Sequence, residues 1–424
     1  MRAIWSGVGT ASMTLDLQLE GDDPVVGPRW CSPSEDLSGG TVRLLAPRVS
    51  VVLPRRIEPP HPDLLALAAY AAAAPWVGRR LALATPISSR AAEGFARAVG
   101  VEAGPVDDSL APRESPRRAV LAYSGGVDSI AAAELLKDDV VLVHSARRRH
   151  PWVPRVDDIY QTAGFLPLVA EAGRRGWRTE VVGTDVDYVC ALRPRSPTSF
   201  ADGIGAILLA DDLESGGVAW GNVLGTLYLE GGRDWAGMRE PTLPALFAAV
   251  GLDYLQPTAA VTEAGSTLIA RESSLGDLAR SCAVAADGGP CHWCEKCIRK
   301  ALVTAAVCGE PLDPRVRSNL SDDHPVMTKV FNTDPFHASH VVGYALARVD
   351  LAGTPLAAVR DRMGLTPEST RWAERYFRQG LSDFVSERWR ASVETRLGQT
   401  LRPMDADDEA RLRAWPEDPA TAHR

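Results

Sequence analysis

A chain of 424 residues with a net charge of −8, 45% hydrophobic and 24% charged residues, exceeds one average domain and has an ordinary globular composition with room for a large buried core. The acidic balance argues against a general nucleic-acid coat, because nonspecific binding depends on Lys and Arg neutralising many phosphates. The opening stretch MRAIWSGVGTASMTLDLQLEGDD lacks a basic start followed by an apolar h-region, and no run approaches about eighteen apolar residues, so the expectation is a soluble, cytoplasmic protein with no membrane partner.

Over residues 1–112 the segments TLDLQL and RVSVVL alternate as strands, while LLALAAYAAAA and SSRAAEGFARAVG read as helices. They predict a small N-terminal α+β domain that closes in the polar, Pro-containing stretch GPVDDSLAPRESPRR. From Ala119 the pattern changes. AVLAYS precedes DSIAAAELLK, VVLVHS precedes a helix near IYQTAGFLPLVAEAGRRG, and TEVVGTD, ADGIGAILLADDLE and GVAWGN continue the alternation. Strand followed by helix, repeated, predicts an α/β core over residues 113–312: a parallel sheet with helices on both faces. Ligands of such sheets collect at the carboxyl ends of the strands.

The stretch SGGVDS sits at the first of these junctions. A phosphate needs inward-pointing N–H groups from a chain that approaches closely; glycines permit both, and the following helix adds its positive N-terminal end. The amides of Gly126 to Ser129 can therefore converge on an anion, with hydroxyls from Ser124 and Ser129. A carboxylate at Asp128 repels that anion unless a cation bridges them, which points to Mg2+. No GK[ST] follows, so this is not a Walker A loop. The run RRRH at 147–150 reads either as a phosphate clamp or as a solvated basic loop.

Four of seven cysteines crowd into SCAVAADGGPCHWCEKCIRK as C-x8-C-x2-C-x2-C. Cys282, Cys291, Cys294 and Cys297 can surround a tetrahedral Zn2+ with no open position, which describes a structural ion in a reducing compartment. An iron-sulfur cluster and replacement of one thiolate by His292 are the alternatives. Cys31, Cys190 and Cys308 read as packing residues. Lys296, Arg299 and Lys300 follow the last ligand and are either phosphate contacts or a basic helix surface. Residues 313–424 read as a C-terminal helical domain, with TRWAERYFRQGLSDFVSERWRASVETRL as amphipathic helix.

SGG-x-DS resembles the pyrophosphate loop of the N-type ATP pyrophosphatases, which split ATP between the α and β phosphates to adenylate a carboxylate or similar oxygen. The resemblance implies an adenine nucleotide alpha hydrolase-like fold. It also implies that Ser124, Gly125, Gly126, Val127, Asp128 and Ser129 hold ATP, its leaving pyrophosphate and Mg2+, with the strand ending in His144 and Ser145 beside the adenine. Together with the cysteine spacing, residues 117–305 resemble 7-cyano-7-deazaguanine synthase and its relatives, in which the cysteines bind zinc.

Those enzymes adenylate 7-carboxy-7-deazaguanine, join ammonia to give the amide, and adenylate again to reach the nitrile. Relatives with long additions at both ends occur in antiphage defence operons, and some are associated with attaching a deazaguanine to a protein N-terminus. The resemblance thus implies a deazapurine substrate and, as partners, an acceptor protein or other defence-complex subunits. The chain departs from the family where the acceptor is selected. The expected Tyr-Pro-Asp-Cys-Arg segment after the strand ending in Gly-Asn is replaced by VLGTLYLEGGRDWAGMREP, and an expected Arg-Asn pair by RPRSPTSFADG. Arg193, Arg195, Asn222, Arg233 and Asp234 remain as counterparts for substrate contacts.

The expected chemistry is acyl activation, in which a carboxylate attacks the α-phosphorus and an amine then displaces AMP. Electrostatic positioning suffices for this without a protein nucleophile. Two other readings stand beside it. A tRNA-thiolating pyrophosphatase would need a persulfide carrier, for which Cys190 is the candidate; a non-catalytic nucleotide-binding scaffold would use the helical C-terminus as its interface.

Overall fold

The structure is a computed structural model that describes residues 1–28, 41–148, 162–190, 196–229, 242–282, 285, 289–327 and 338–415. Strands β1 (Arg2–Ser6), β2 (Ser12–Gln18), β3 (Val26–Pro28), β4 (Thr41–Arg43) and β5 (Arg48–Val52) come first, then α1 (Pro62–Ala73), β6 (Arg80–Ser88), α2 (Ser89–Val99) and β7 (Glu102–Asp107). The alternating region holds β8 (Arg118–Ala122), α3 (Val127–Leu135), β9 (Val140–Arg147), α4 (Leu166–Arg174), β10 (Thr179–Thr184), α5 (Ile204–Leu208), β11 (Ser215–Ala219), α6 (Thr242–Ala249) and β12 (Asp253–Leu255). Then follow α7 (Glu263–Glu272), α8 (Glu295–Cys308), α9 (Pro314–Ser318), α10 (Ser339–Leu346) and α11 (Leu356–Arg362). The chain continues through β13 (Arg375–Tyr376), α12 (Arg378–Phe384), α13 (Glu387–Thr400), β14 (Arg402–Pro403) and α14 (Ala406–Ala414).

The fold is α/β around one ten-stranded sheet of order β12-β11-β8-β9-β10-β5-β2-β1-β6-β7. The five strands from β12 to β10 run parallel. Beyond them β5 pairs antiparallel with β10 and with β2, and β2 antiparallel with β1. The sheet is therefore mixed, where the alternation predicts a parallel one. An open β10 edge would expose unpaired N–H and C=O groups; β5 covers it, with Gly183 opposite Val52 and Thr184 opposite Val51. Strands from residues 1–107 and from the alternating region thus share one hydrogen-bonded sheet.

Period-two burial explains the layers. Along β8, Val120 faces one apolar core, with α1, α2, α5 and α6, while Ala119 and Leu121 face the other, with α3, α4, α7 and α13. A third core joins α8, α10 and α11 to the C-terminal segments. The stretch read as long amphipathic helix is broken instead by β13 and around Val385. Its backbone is committed elsewhere: Phe377 N–H donates to the Ala260 carbonyl at 2.8 Å, and Phe384 C=O accepts from Gln256 N–H at 2.9 Å. Helix α13 resumes and buries Trp389, Val393 and Leu397 against α3, at about 1.5–3 kcal/mol for each such side chain. Among the described residues no helix is long and apolar enough to cross a membrane.

Candidate nucleotide and metal site

In the parallel block the strand order β10-β9-β8-β11-β12 runs outward to both sides from β8, the kind of switch point at whose carboxyl ends ligands of such sheets collect. Ser124, Gly125 and Gly126 lie there, between β8 and α3. Gly125 takes φ 76°, a left-handed conformation that glycine adopts without a Cβ penalty, and Gly126 is the extended N-cap of α3. The turn is braced internally. Ser124 Oγ accepts from Gly126 N–H at 3.3 Å, and Ser129 Oγ donates to the Gly126 carbonyl at 2.9 Å. It is also fixed from β11: a Cβ on Gly221 would stand 2.8 Å from Ser129 N and 2.9 Å from Asp128 C, so only glycine lets that strand end approach α3. Asn222 follows, its carbonyl accepting from Thr258 Oγ1 at 2.9 Å.

Asp128 points to helices α7 and α8. Its Oδ1 accepts from Ser266 Oγ, and its Oδ2 lies 3.0 Å from Lys300 Nζ. Lys300 also lies 3.0 Å from Glu263 Oε2, and Glu263 pairs with Arg299, which reaches Glu295 as well. Burial pushes the Asp128 carboxyl up, but Lys300, Ser266 and Arg299 together outweigh it and hold Asp128 below the usual carboxylate range. Lys300 is thus engaged beside the loop, and Arg299 is committed to carboxylates.

A cavity of about 190 Å3 opens at the loop, lined by Ser124, Gly126, His144, Arg147, Phe165 and Lys296 among others. His144 Nδ1 is 3.0 Å from the Tyr123 carbonyl, and Ser145 Oγ donates to the Asp202 carbonyl at 2.6 Å. Arg147 pairs with Asp187. A larger cavity of about 810 Å3 shares Arg280 and Ser281 with the first and meets the loop through Val127 and Lys300. The smaller cavity holds the loop serine, the loop glycine and Lys296.

The four cysteines converge from two sides: Cys282 follows the Arg280–Ser281 segment, and Cys294 and Cys297 lie at the start of α8. All four sulfurs fall within 4.8 Å of one another, and Cys291 and Cys297 Sγ are 3.7 Å apart. Tetrahedral Zn–S bonds of roughly 2.3 Å set sulfurs about 3.8 Å apart, so the cluster is compatible with a structural metal ion. Cys294 N–H and Ala285 N–H each donate to a cluster sulfur at 3.4 Å, stabilising thiolate charge. The same knot touches the loop, since Arg280 N–H donates to the Gly125 carbonyl at 2.9 Å.

Sequence reasoning singled out the loop, His144, Ser145, Asn222, Lys296 and Lys300, and all of them lie at this end of the sheet. Arg193, Arg195, Arg233 and Asp234 lie outside the described residues, as do Cys31, Arg149 and His150. Cys190 is 8% exposed within an apolar core. Glu263, Ser266, Arg280 and Phe165 were missed. Thr262, whose side chain caps the first turn by accepting from Ala264 and Gly265 N–H, was the available signal for α7 itself.

The geometry defines an α/β protein with a glycine-containing strand-to-helix turn at a strand switch and a four-cysteine cluster beside it. Residues 242–416 match a model described as "Family of unknown function (DUF6395)", a span from α6 through the cysteines and Lys300 into the last helices. The Ser124 loop precedes that span. No curated protein and no solved structure matches the chain.

Proposed function

We propose that the chain is an ATP pyrophosphatase of the 7-cyano-7-deazaguanine synthase type, which adenylates 7-carboxy-7-deazaguanine or a related deazapurine acid and passes the acyl group to an amine, in ammonia or a protein. The reading is carried by one observation: the Ser124–Ser129 turn, at the carboxyl end of the central parallel strand, opens on a cavity that also takes Lys296. Amides at a helix N-terminus beside a lysine favour a polyanion.

In this reaction an oxygen of the acid attacks the α-phosphorus and the bond to pyrophosphate breaks. The amine nitrogen then attacks the acyl carbon, the bond to AMP breaks, and a proton is released. The α3 N-terminal amides, with Ser124 and Ser129, would bind the leaving pyrophosphate, and Lys296 would stabilise its growing charge. Alone, the loop cavity is below the roughly 300 Å3 at which ligand pockets begin, so substrates would extend past Arg280 and Ser281 toward the larger cavity.

Asp128 would hold Mg2+, which supplies neutralisation of phosphate charge; Lys300 and Ser266 now engage its oxygens. Cys282, Cys291, Cys294 and Cys297 would hold a structural Zn2+ that pins α8 against the loop. A defence-operon setting, with an acceptor protein docked on the terminal regions, belongs to the same reading. The thiolation reading draws no support from Cys190, which is packed in the core.

The test is pyrophosphate release from ATP with 7-carboxy-7-deazaguanine, with intact mass spectrometry of the products. Release that depends on the acid, and an adenylate or amide product, is expected. No release with this or related acids, with ammonia or candidate acceptors present, would remove the proposal.

A further inference from the structure

Asp202 lies in the short turn Ala201–Gly203 just ahead of α5, and three features fix where it points. Ser145 Oγ on β9 donates to its backbone carbonyl at 2.6 Å, and the indole N–H of Trp220, just past β11, donates to its Oδ1 at 2.9 Å. The third is steric: a Cβ on Gly203 would stand 2.4 Å from Trp220 Cζ2, so only glycine admits the indole this closely. Trp220 is itself 4% exposed and packs on Phe247 and Tyr254, which holds the donor in place.

The carboxylate held in this way lines the loop cavity, is exposed there, and forms no ion pair among the described residues. The other charged groups of the lining are Arg147 on β9, Asp187 after β10, Arg280 before Cys282, and Lys296 on α8. Arg147 pairs with Asp187, whose other oxygen accepts from Ser196, and Arg280 donates to the carbonyls of Asp277 and Ala279. Burial keeps Tyr123 and His144 neutral. Enclosure by the surrounding chain raises the Asp202 carboxyl to about 6 against the indole hydrogen bond; Asp187 adds to the rise and Arg147 opposes it. A carboxylate tuned toward neutral pH is matched to accepting a proton.

The reactants decide which proton. ATP and the acid are anions, which an unpaired carboxylate repels, whereas the acceptor amine carries N–H donors and must lose a proton to become an amide. On the pyrophosphatase reading of this cavity, we propose that Asp202 is the catalytic base of the second half-reaction, holding the acceptor amine and taking its proton. As the amine nitrogen bonds to the acyl carbon and the bond to AMP breaks, one N–H proton passes to Oδ2 of Asp202 and from there to water, while Oδ1 stays on the indole.

The test separates the half-reactions on the full chain, with Mg2+ and 7-carboxy-7-deazaguanine or a related acid. Exchange of labelled pyrophosphate into ATP reads adenylation without any amine; amide formation from ammonium chloride, or from a short peptide with a free N-terminus, reads transfer. Asp202→Asn, whose amide oxygen can still accept from Trp220, is expected to keep exchange within about threefold and to lose amide formation by about 100-fold or more. Transfer rates expressed per unprotonated amine should rise through about pH 6 in the unsubstituted protein and stay flat in the variant. A flat profile in the unsubstituted protein overturns the inference, even if the variant fails to fold. Equal loss of exchange and transfer in Asp202→Asn overturns it too, because that marks a contact to ATP or to the acid. Exchange without transfer to either amine does the same. Absence of exchange sinks the adenylation reading and this inference with it, whereas unchanged transfer in the variant sinks only the latter.

Discussion

Lys300 Nζ stands 3.0 Å from Oδ2 of Asp128 and 3.0 Å from Oε2 of Glu263, so one ammonium on α8 neutralises carboxylates from α3 and α7. The Lys300 and Glu263 side chains are 13% and 9% exposed, which keeps water from screening the cluster. Removing one partner of such a group leaves uncompensated charge.

Lys300→Met is accordingly expected to cost about 3 kcal/mol of stability. Asp128→Asn should cost less, because Lys300 keeps Glu263. Chemical denaturation of both variants and of the double variant measures the coupling. Equal small losses in all three would show that the pair contributes nothing.

Purified protein is expected to contain one metal ion for its four cysteines, measurable by elemental analysis. Stripping it with a chelator after thiol modification should raise amide exchange in residues 280–300 first, because Arg280 and the start of α8 are tied to the same knot. Unchanged exchange there would separate the cluster from the loop.

Gly221→Ala places a methyl within 3 Å of the Asp128–Ser129 backbone, where no flexible side chain can yield. The variant is expected to fold with α3 displaced and to lose more than about tenfold in nucleotide affinity. Gly125→Ala should act more mildly, at roughly 1–2 kcal/mol for its left-handed backbone. Nucleotide titration against thermal melting distinguishes the two effects, and full affinity in Gly221→Ala would contradict the close approach.

Burial, and then the charge of Arg147, hold folded His144 below the ordinary histidine value of about 6.5, against the opposing effect of the Tyr123 carbonyl. Between that value and its folded one the unfolded chain binds more protons, so stability from this residue is present above about pH 6.5 and is lost as pH falls through the folded value. Wild type should lose up to about 1.4 kcal/mol per pH unit over that window relative to His144→Gln. Parallel denaturation curves across the window would refute this.

Much of the site is legible in the sequence. The loop is written in adjacent residues because its chemistry is local backbone geometry: two glycines, a hydroxyl at each end and a helix behind. The cysteine cluster is legible for a similar reason, since three ligands lie within seven residues and the metal geometry constrains their spacing. Glu263 and Ser266 were not legible, because a glutamate and a serine on a helix say nothing of what faces them until α7 is docked on α3. Nor was the break in the long amphipathic stretch, where amides of the 256–260 region and the chain around Phe377 and Phe384 meet only after folding.

What the sequence alone determined is the alternation of strands and helices from Ala119, the turn at Ser124–Ser129 and the cysteine spacing, all set by periodicity and backbone preference over a few residues. The tertiary structure decided that the sheet is mixed, that β5 covers the edge of β10, and that Lys300 faces Asp128 while Arg299 is spent on Glu263. Those partners are far apart in the chain, 172 positions in the case of Lys300 and Asp128. No local rule reaches across that distance: which charges meet depends on how the apolar faces of α3, α7 and α8 pack.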